Sequence, residues 1–533
     1  MDYRNPAACI DLLRRLRQTN VDETHAELTR IVTTLRSYPP APNQHLEVLE
    51  AARPAIVHAQ AELAKSYAAH PLPPESRENL IMESVVSLWR ELARSYTRII
   101  LADTVNGSLA ENMPLLFQRQ LFSLGQVILE YFRARRALPP GAWTDLHAAF
   151  AAAERHEVAR SRVADPLNDV WRAQSSAECY VSLLLTDLAN PYGRTQRELN
   201  WIIRWAQRFA PYCALKRRSE DSPDVPLRYG VDLAADHGVR PAGVLKASDT
   251  LRHFDGSRLA SHIQAVVSQL KQGVAPASLG LGEDCPALAG GRLLVMLYRP
   301  WGLASAGRKF SRRGAQGALE LISDWNAIAF HIDGRPFAPP SSRTVSTMRA
   351  DMSVMTFGER APEAPLSVEQ IREEGTRLGL SGAHWEVVDQ SVGGFRLRCR
   401  PVGQRLDHHQ LVGIRPPDGE AVLLARISWL MYRQDGTLEA GVSVLPGVPS
   451  VAAARTLSAR ASTHDPYQPC FTLPAVPALK AEASVVLPGG WFQPERVIEL
   501  HTDRLTQVRL SSLMSNGSNF DQVVVKPLRQ SPA

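Results

Sequence analysis

The chain has no long apolar run. Nowhere in its 533 residues do the roughly 18 hydrophobic residues needed to cross a bilayer follow one another. Its opening stretch, MDYRNPAACIDLLRRLRQ, has no basic start leading into an apolar segment. A membrane-spanning helix and a standard signal peptide are thereby excluded, and the expectation is a cytoplasmic protein without membrane insertion. Cysteine is scarce: Cys9, Cys179, Cys213, Cys285, Cys399 and Cys470 form no C-x-x-C and have no histidine at zinc spacing. They read as reduced, mostly buried thiols, with no disulfide framework and no metal site. His408 and His409 are adjacent but lack ligand-spaced partners, so no metal is expected there either. Neither G-x-G-x-x-G nor G-K-[S/T] occurs, which removes dinucleotide binding and nucleotide hydrolysis by those devices. Serine, histidine and aspartate show no arrangement beyond generic content, so no catalytic residues and no cofactor are assigned.

What is present is an ordinary globular composition, 44% hydrophobic and 21% charged, which argues against extended disorder. A chain this long exceeds one core, and about three or four domains are expected. The formal charge of +6 and the isoelectric point near 9.0 permit an anionic ligand or an acidic partner without demanding one.

Residues 1–215 carry apolar side chains at three- and four-residue spacing, with few β-branched runs, and predict an all-α bundle or irregular solenoid. The clearest helices are HLEVLEAARPAIVHAQAELAKSYAAH, ESRENLIMESVVSLWRELARSYTRIILAD, LFQRQLFSLGQVILEYFRARRA and RELNWIIRWAQRFAPYC. They are separated by the proline and glycine breaks SYPPAPN, HPLPPES, ALPPGAW and ANPYG. Trp89, Trp143, Trp171, Trp201 and Trp205 are read as core packing, and Arg133 to Arg136 as a solvated helix end rather than a nucleic-acid patch. LKRRSEDSPDVP marks a boundary. Residues 227–300 then mix α and β as a connecting region, with one helix from near Asp255 to Gly273.

Chemistry first gathers at Asp389-Gln390-Ser391-Val392-Gly393-Gly394, between two strand-like runs in HWEVVDQSVGGFRLRC. A carboxylate, a hydroxyl and two glycines after a β-branched run form a turn, and the same groups suit a ligand that must meet the backbone closely. On its own the hexamer is equally a hairpin turn and nothing more. Arg308 and Arg312 supply a second pattern, R-x-x-x-R, in a basic loop before a strand beginning near Ala318. GFRLRCRP, HQLVGIRPP, AVLLARISWLMYRQDG and LEAGVSVLPG read as successive strands.

Together these residues resemble the PilZ domain, a bacterial six-stranded β-barrel that is a receptor for cyclic di-GMP. Its members carry R-x-x-x-R before the first strand and [D/N]-x-S-x-x-G between later ones. The resemblance covers residues 301–450. It implies an antiparallel barrel, a non-catalytic signalling role, and cyclic di-GMP held by Arg308, Arg312, Asp389, Ser391 and Gly394. Two guanidiniums on a loop can clamp phosphate, stack on a base or bond to guanine O6 and N7. Asp389 can accept from guanine N1–H and the amino group, Ser391 can bond to phosphate or base, and Lys309 and Arg313 add positive potential. Two features depart from the family pattern. The motifs are unusually far apart, because residues 335–382 intervene as an insertion with a short helix near SVEQIREEGTRLG. Arg396 and Arg400 also satisfy R-x-x-x-R, but inside a strand, where they read as a barrel face.

Residues 465–533 predict a C-terminal β-rich domain, either a small separate barrel or an extension packed on the first. Its strand-like runs are ALKAEASVVLP, ERVIELHTD, LTQVRLSSLM and FDQVVVKPL, with a hairpin turn at Asn516-Gly517. The class is therefore α+β multidomain: helical domain, PilZ-like barrel, β-rich end. The leading function is a cyclic di-GMP effector whose helical domain contacts a protein partner in motility, biofilm or exopolysaccharide control. One alternative is a scaffold with a degenerate barrel that binds no nucleotide. A nucleic-acid regulator is disfavoured, since basic residues are interspersed with acidic ones and no aromatic-interleaved basic strand occurs.

Overall fold

The computed structural model describes the chain outside residues 1, 17–18, 218–228, 303–312, 315–316, 341–365, 401–402, 418, 458–464 and 529–533. It divides into two units, Met1–His70 with Pro74–Arg308, and Pro71–Pro73 with Lys309–Ala533. The α+β class expected from the sequence is the one it adopts.

The first unit begins with helices α1 (Pro6–Arg15), α2 (Val21–Ser37), α3 (Pro42–Ala64), α4 (Ser76–Asn106), α5 (Met113–Arg133) and α6 (Ala142–Arg155). A two-stranded ribbon follows, β1 (Val163–Ala164) with β2 (Ala173–Gln174), then α7 (Ser176–Leu188) and α8 (Gln196–Phe209). Local chemistry starts these helices where it should. Asn5 and Asn20 accept from first-turn N–H groups, and Ser175 with Glu178 and Thr195 with Glu198 form capping boxes. Trp89, Trp143, Trp201 and Trp205 are buried in one apolar cluster. Trp171 is not. It lies in the β1–β2 ribbon, 37% exposed, with the Arg162 and Arg208 guanidiniums 5.8 and 5.5 Å from its ring centre. A tight ribbon offers no helix face to bury an indole, so the core role expected for Trp171 is corrected.

Arg53, Arg119 and Asp165, all but sealed from solvent, join Glu50 and Tyr96 in one polar network. Arg53 Nη2 and Arg119 Nη1 donate to Asp165 Oδ2 at 3.0 and 2.9 Å, and Arg119 Nη2 donates to Glu50 Oε2 at 3.0 Å. Tyr96 also donates to Glu50 Oε1 at 2.7 Å. Every charge has an opposite partner, the condition under which buried ions are tolerated.

Residues 229–302, for which the sequence suggested a connecting region, share this unit's core. They form β4 (Tyr229–Asp232), β5 (Arg240–Pro241) and β6 (Leu251–Asp255), a sheet completed by β3 (Ala214–Arg217), then α9 (Ser257–Lys271) and α10 (Ala287–Gly302). Val231, Phe254, Leu259 and Trp301 belong to the same apolar cluster as the helices. The Asp236 carboxylate accepts from the N–H groups of Gly141, Trp143 and Thr144 at the start of α6, and Arg252 donates to Glu154 at its end. Polar bonds at both ends of one helix thus fasten the sheet to it.

In the second unit, β7 (Arg313–Gly314), β8 (Ala318–Ile322), β9 (Ala383–Ser391), β10 (Gly394–Cys399), β11 (Leu411–Arg415), β12 (Leu423–Tyr432) and β13 (Leu438–Val444) form one antiparallel sheet. Six of them close a ring, β8–β9–β10–β13–β12–β11 and back to β8, with β7 added on β9. Leu319, Leu321, Trp385, Val387, Leu397, Ile427, Leu430 and Ala440 fill it. Leu72 also joins this core and pairs with Leu406 through two backbone bonds of 2.9 and 2.7 Å. A second closed barrel follows: β14 (Ser450–Thr456), β15 (Gln468–Leu473), β16 (Ser484–Pro488), β17 (Val497–His501), β18 (Leu505–Asn516) and β19 (Phe520–Pro527). Its first strand lies ahead of the start at 465 read from the sequence.

Helices α11 (Trp325–Asp333) and α12 (Val368–Arg377) lie between β8 and β9 of the first barrel. The expected short helix is α12, with the Ser367/Gln370 capping box. Unexpected is α11, capped by Asp324 and ended by Gly334 at φ 73°. Its Ala327, Ile328 and Ala329 pack with Leu411 and Leu424 of the first barrel and Phe471, Val486 and Phe520 of the second. One core is therefore common to both barrels.

Acid should weaken the first unit. His45 is buried on α3, and burial, reinforced by Arg98, lowers its pKa to about 4. A depressed folded-state pKa means the unfolded chain binds the proton first, so stability is lost as pH falls from 6.5 towards 4. At pH 5 the expected loss from this residue is about 2 kcal/mol. Denaturant unfolding at pH 7 and 5 should show that difference shrinking in His45→Leu; an unchanged difference would refute the assignment.

Candidate functional site

The hexamer singled out in the sequence ends β9, turns through Val392 and Gly393, and opens β10, with Ser391 paired to Gly394. Ser391 Oγ donates to the Gly394 carbonyl at 3.3 Å and braces the turn. Gly394 is present for space. A Cβ placed there would lie 1.9 Å from the carbonyl oxygen of Val442 on β13, so only a residue without a side chain lets β10 approach its neighbour. Asp389 sits half-buried just before the turn, directly opposite Arg396 of β10 and Gly314 of β7.

Arg308 and Arg312 lie outside the described residues. The residue following Arg312 does not: Arg313 begins β7 and pairs with Gln390, inside the hexamer. The strand continuing from the R-x-x-x-R pattern is thus hydrogen-bonded to the D-x-S-x-x-G pattern, although the long insertion separates them in sequence. Asp389, Ser391 and Gly394 are brought together as one hairpin.

Arg396 stands on the outer face of β10, alternating with the inward Leu397. Its Nη2 donates to Glu439 Oε2 at 2.9 Å, while Glu439 Oε1 accepts from Arg398 Nη2 at 3.1 Å and from Arg433 Nη1 at 3.2 Å. Glu439 is fully buried, whereas the three arginine side chains keep 36%, 39% and 42% of their exposure. Burial opposes the charge on Glu439, but the arginines, led by Arg396, outweigh it and hold its pKa below the usual glutamate range. The result is a fan of guanidiniums with anchored roots and open faces. Arg396 Nε itself is sealed from solvent and has no partner among the described residues.

Sequence reasoning did not find this fan or the residues beside it. Arg396 registered only as a barrel face, and Trp429 on β12 not at all. Trp429 is opposite Gly441, which is itself opposite Arg396. The available signal was Gly441 in the middle of a strand, a common mark of close approach by another group.

Elsewhere, His408 and His409 stack on each other at 3.8 Å between ring centres. Among the described residues no cluster of His, Cys, Asp or Glu suits a metal, and no helix is long and apolar enough to cross a membrane.

Comparison with known proteins gives the class first. Residues 7–221 match the family model described as the N-terminal domain of the cyclic-di-GMP receptor FimW, and residues 452–528 match the FimW C-terminal beta-barrel domain. Both ends of the chain are thus similar to domains described for one cyclic-di-GMP receptor. A particular relative is the cyclic-di-GMP receptor FimW of Pseudomonas aeruginosa, 24% identical over 549 aligned positions that span 95% of this chain and 88% of that protein. The hairpin at Asp389 lies between the two stretches matched by family models.

The close approach at Gly394 gives a direct test. Gly394→Ala should push β10 from β13 and lower the stability of the second unit by about 1–3 kcal/mol in denaturant unfolding. Val392→Ala at the exposed tip of the same turn should change it by less than about 0.5 kcal/mol. Equal effects of the two substitutions would contradict the reading of Gly394.

Proposed function

We propose that this protein is a cytoplasmic cyclic di-GMP receptor whose first barrel is of the PilZ type. The ligand is held by Arg308, Arg312, Asp389, Ser391 and Gly394, and the helical unit contacts an output protein in motility, biofilm or exopolysaccharide control. The observation that carries this reading is the β7–β9 pairing, in which the strand leaving R-x-x-x-R is bonded to the hairpin carrying D-x-S-x-x-G. The Pseudomonas aeruginosa relative, named as a cyclic-di-GMP receptor, points the same way.

The mechanism follows from the chemistry of the groups. A doubly anionic ligand bearing two guanines meets guanidiniums able to clamp phosphate or base, a carboxylate that accepts from the guanine N1–H edge, and a hydroxyl. For any signal to result, the ligand must bind one arrangement of the protein better than the other. The helical unit is where the output is read.

Calorimetric titration with cyclic di-GMP tests the reading. Saturable binding is expected, and Arg308→Ala/Arg312→Ala should weaken it by about two orders of magnitude, since each bidentate contact contributes roughly 1–3 kcal/mol. No binding by well-folded wild type would instead favour a scaffold with a degenerate barrel.

A further inference from the structure

Four strands of the first barrel set a row of residues directly opposite one another: Asp389 on β9, Arg396 on β10, Gly441 on β13 and Trp429 on β12. Directly paired residues of antiparallel strands project to the same face, and Arg396 places that face on the outside. A bulge near Ser428 shifts the β12 register immediately before Trp429, the kind of irregularity that re-aims a side chain. The indole then lies over Gly441: a Cβ built on that glycine would be 1.9 Å from Trp429 Nε1 and 2.5 Å from Cε2. Trp429 is only half-buried. Next to it, Glu439 fixes Arg396 through Nη2, and the arginine side chain keeps 36% of its surface exposed.

We propose that Arg396 and Trp429, neither belonging to the two motifs, form the base-reading part of the ligand site. The inference rests on the receptor reading above and adds which side chains select guanine. Trp429 supplies the stacking plane, for which Gly441 clears the barrel surface. Arg396 donates to guanine O6 and N7, beside Asp389, which accepts from N1–H and the amino group. Adenine presents an amino donor where guanine has O6, and an unprotonated N1 where guanine has N1–H. It therefore meets a donor opposite a donor and an acceptor opposite an acceptor. Because Glu439 holds the guanidinium before the ligand arrives, less side-chain freedom is lost on binding.

The test is titration of the full chain with cyclic di-GMP and with cyclic di-AMP, using wild type, Trp429→Leu, Trp429→Phe, Arg396→Met and Arg396→Lys, with circular dichroism melts to confirm folding. Trp429→Leu should weaken cyclic di-GMP about tenfold, while Trp429→Phe, which keeps an aromatic face, stays within about threefold of wild type. Arg396→Met and Arg396→Lys should each lower the preference for cyclic di-GMP over cyclic di-AMP at least tenfold, Lys because it keeps the charge but not the fork. Wild-type binding lost in Arg308→Ala/Arg312→Ala but unchanged in all four of these variants would overturn this inference and leave the receptor standing. No binding by folded wild type would overturn both.

Discussion

The first barrel depends on one backbone approach. Strand β10 must fit between β9 and β13 for the ring to close, and at Gly394 the fit leaves no room for even a methyl group beside the Val442 carbonyl. Closure leaves the six ring strands no unpaired edge and fixes which residues face one another across several strands. The turn at Ser391, the guanidiniums rooted on Glu439 and the indole over Gly441 all inherit their positions from that register. The glycine of the D-x-S-x-x-G pattern is thus a requirement of the barrel, whatever it also does for a ligand.

Two ionic networks in this chain look alike as lists of residues and differ in kind. Around Asp165 in the first unit, the arginines are as buried as their partner, and Glu50 and Tyr96 complete the set. Such a network orders the ribbon between α6 and α7 and has little left to offer solvent. Around Glu439 only the carboxylate is buried. Three arginines share one acid and keep open surface. Burying an acid beneath a barrel face costs desolvation energy, and the return is a set of oriented cations on the outside of the sheet.

Much of this was legible in the sequence because it is written locally. The hexamer at Asp389 combines turn residues with flanking alternation, and both survive as a hairpin between strands. The short helix read near SVEQIREEGTRLG is likewise present as α12. What was not legible depended on context or on register. WNAIAFHID is a short apolar run with too few residues to choose between strand and helix; Asp324 before it and Gly334 after it were the deciding signs. Trp171 has the composition of its helical neighbours, but its ribbon gives it no interior. The row from Asp389 to Trp429 spans four strands and a bulge, and no spacing along the chain encodes it. Arg308 and Arg312 rest on the sequence pattern alone and lie outside the described residues.

The core around α11 has a consequence for how the chain comes to fold. It is completed by Phe520, close to the C-terminal end, and the Asn516–Phe520 hairpin is seated on the first barrel through Ser518 N–H to the His409 carbonyl and Asn519 Oδ1 accepting from Leu411 N–H. During synthesis from the N-terminus, the strands of the first barrel leave the ribosome well before that cap exists. Ile328, Leu411 and Leu424 then wait uncovered until the last strands emerge. The face of the first barrel beneath α11 is thus covered by strands that come later in the chain, whereas its interior is closed by its own strands.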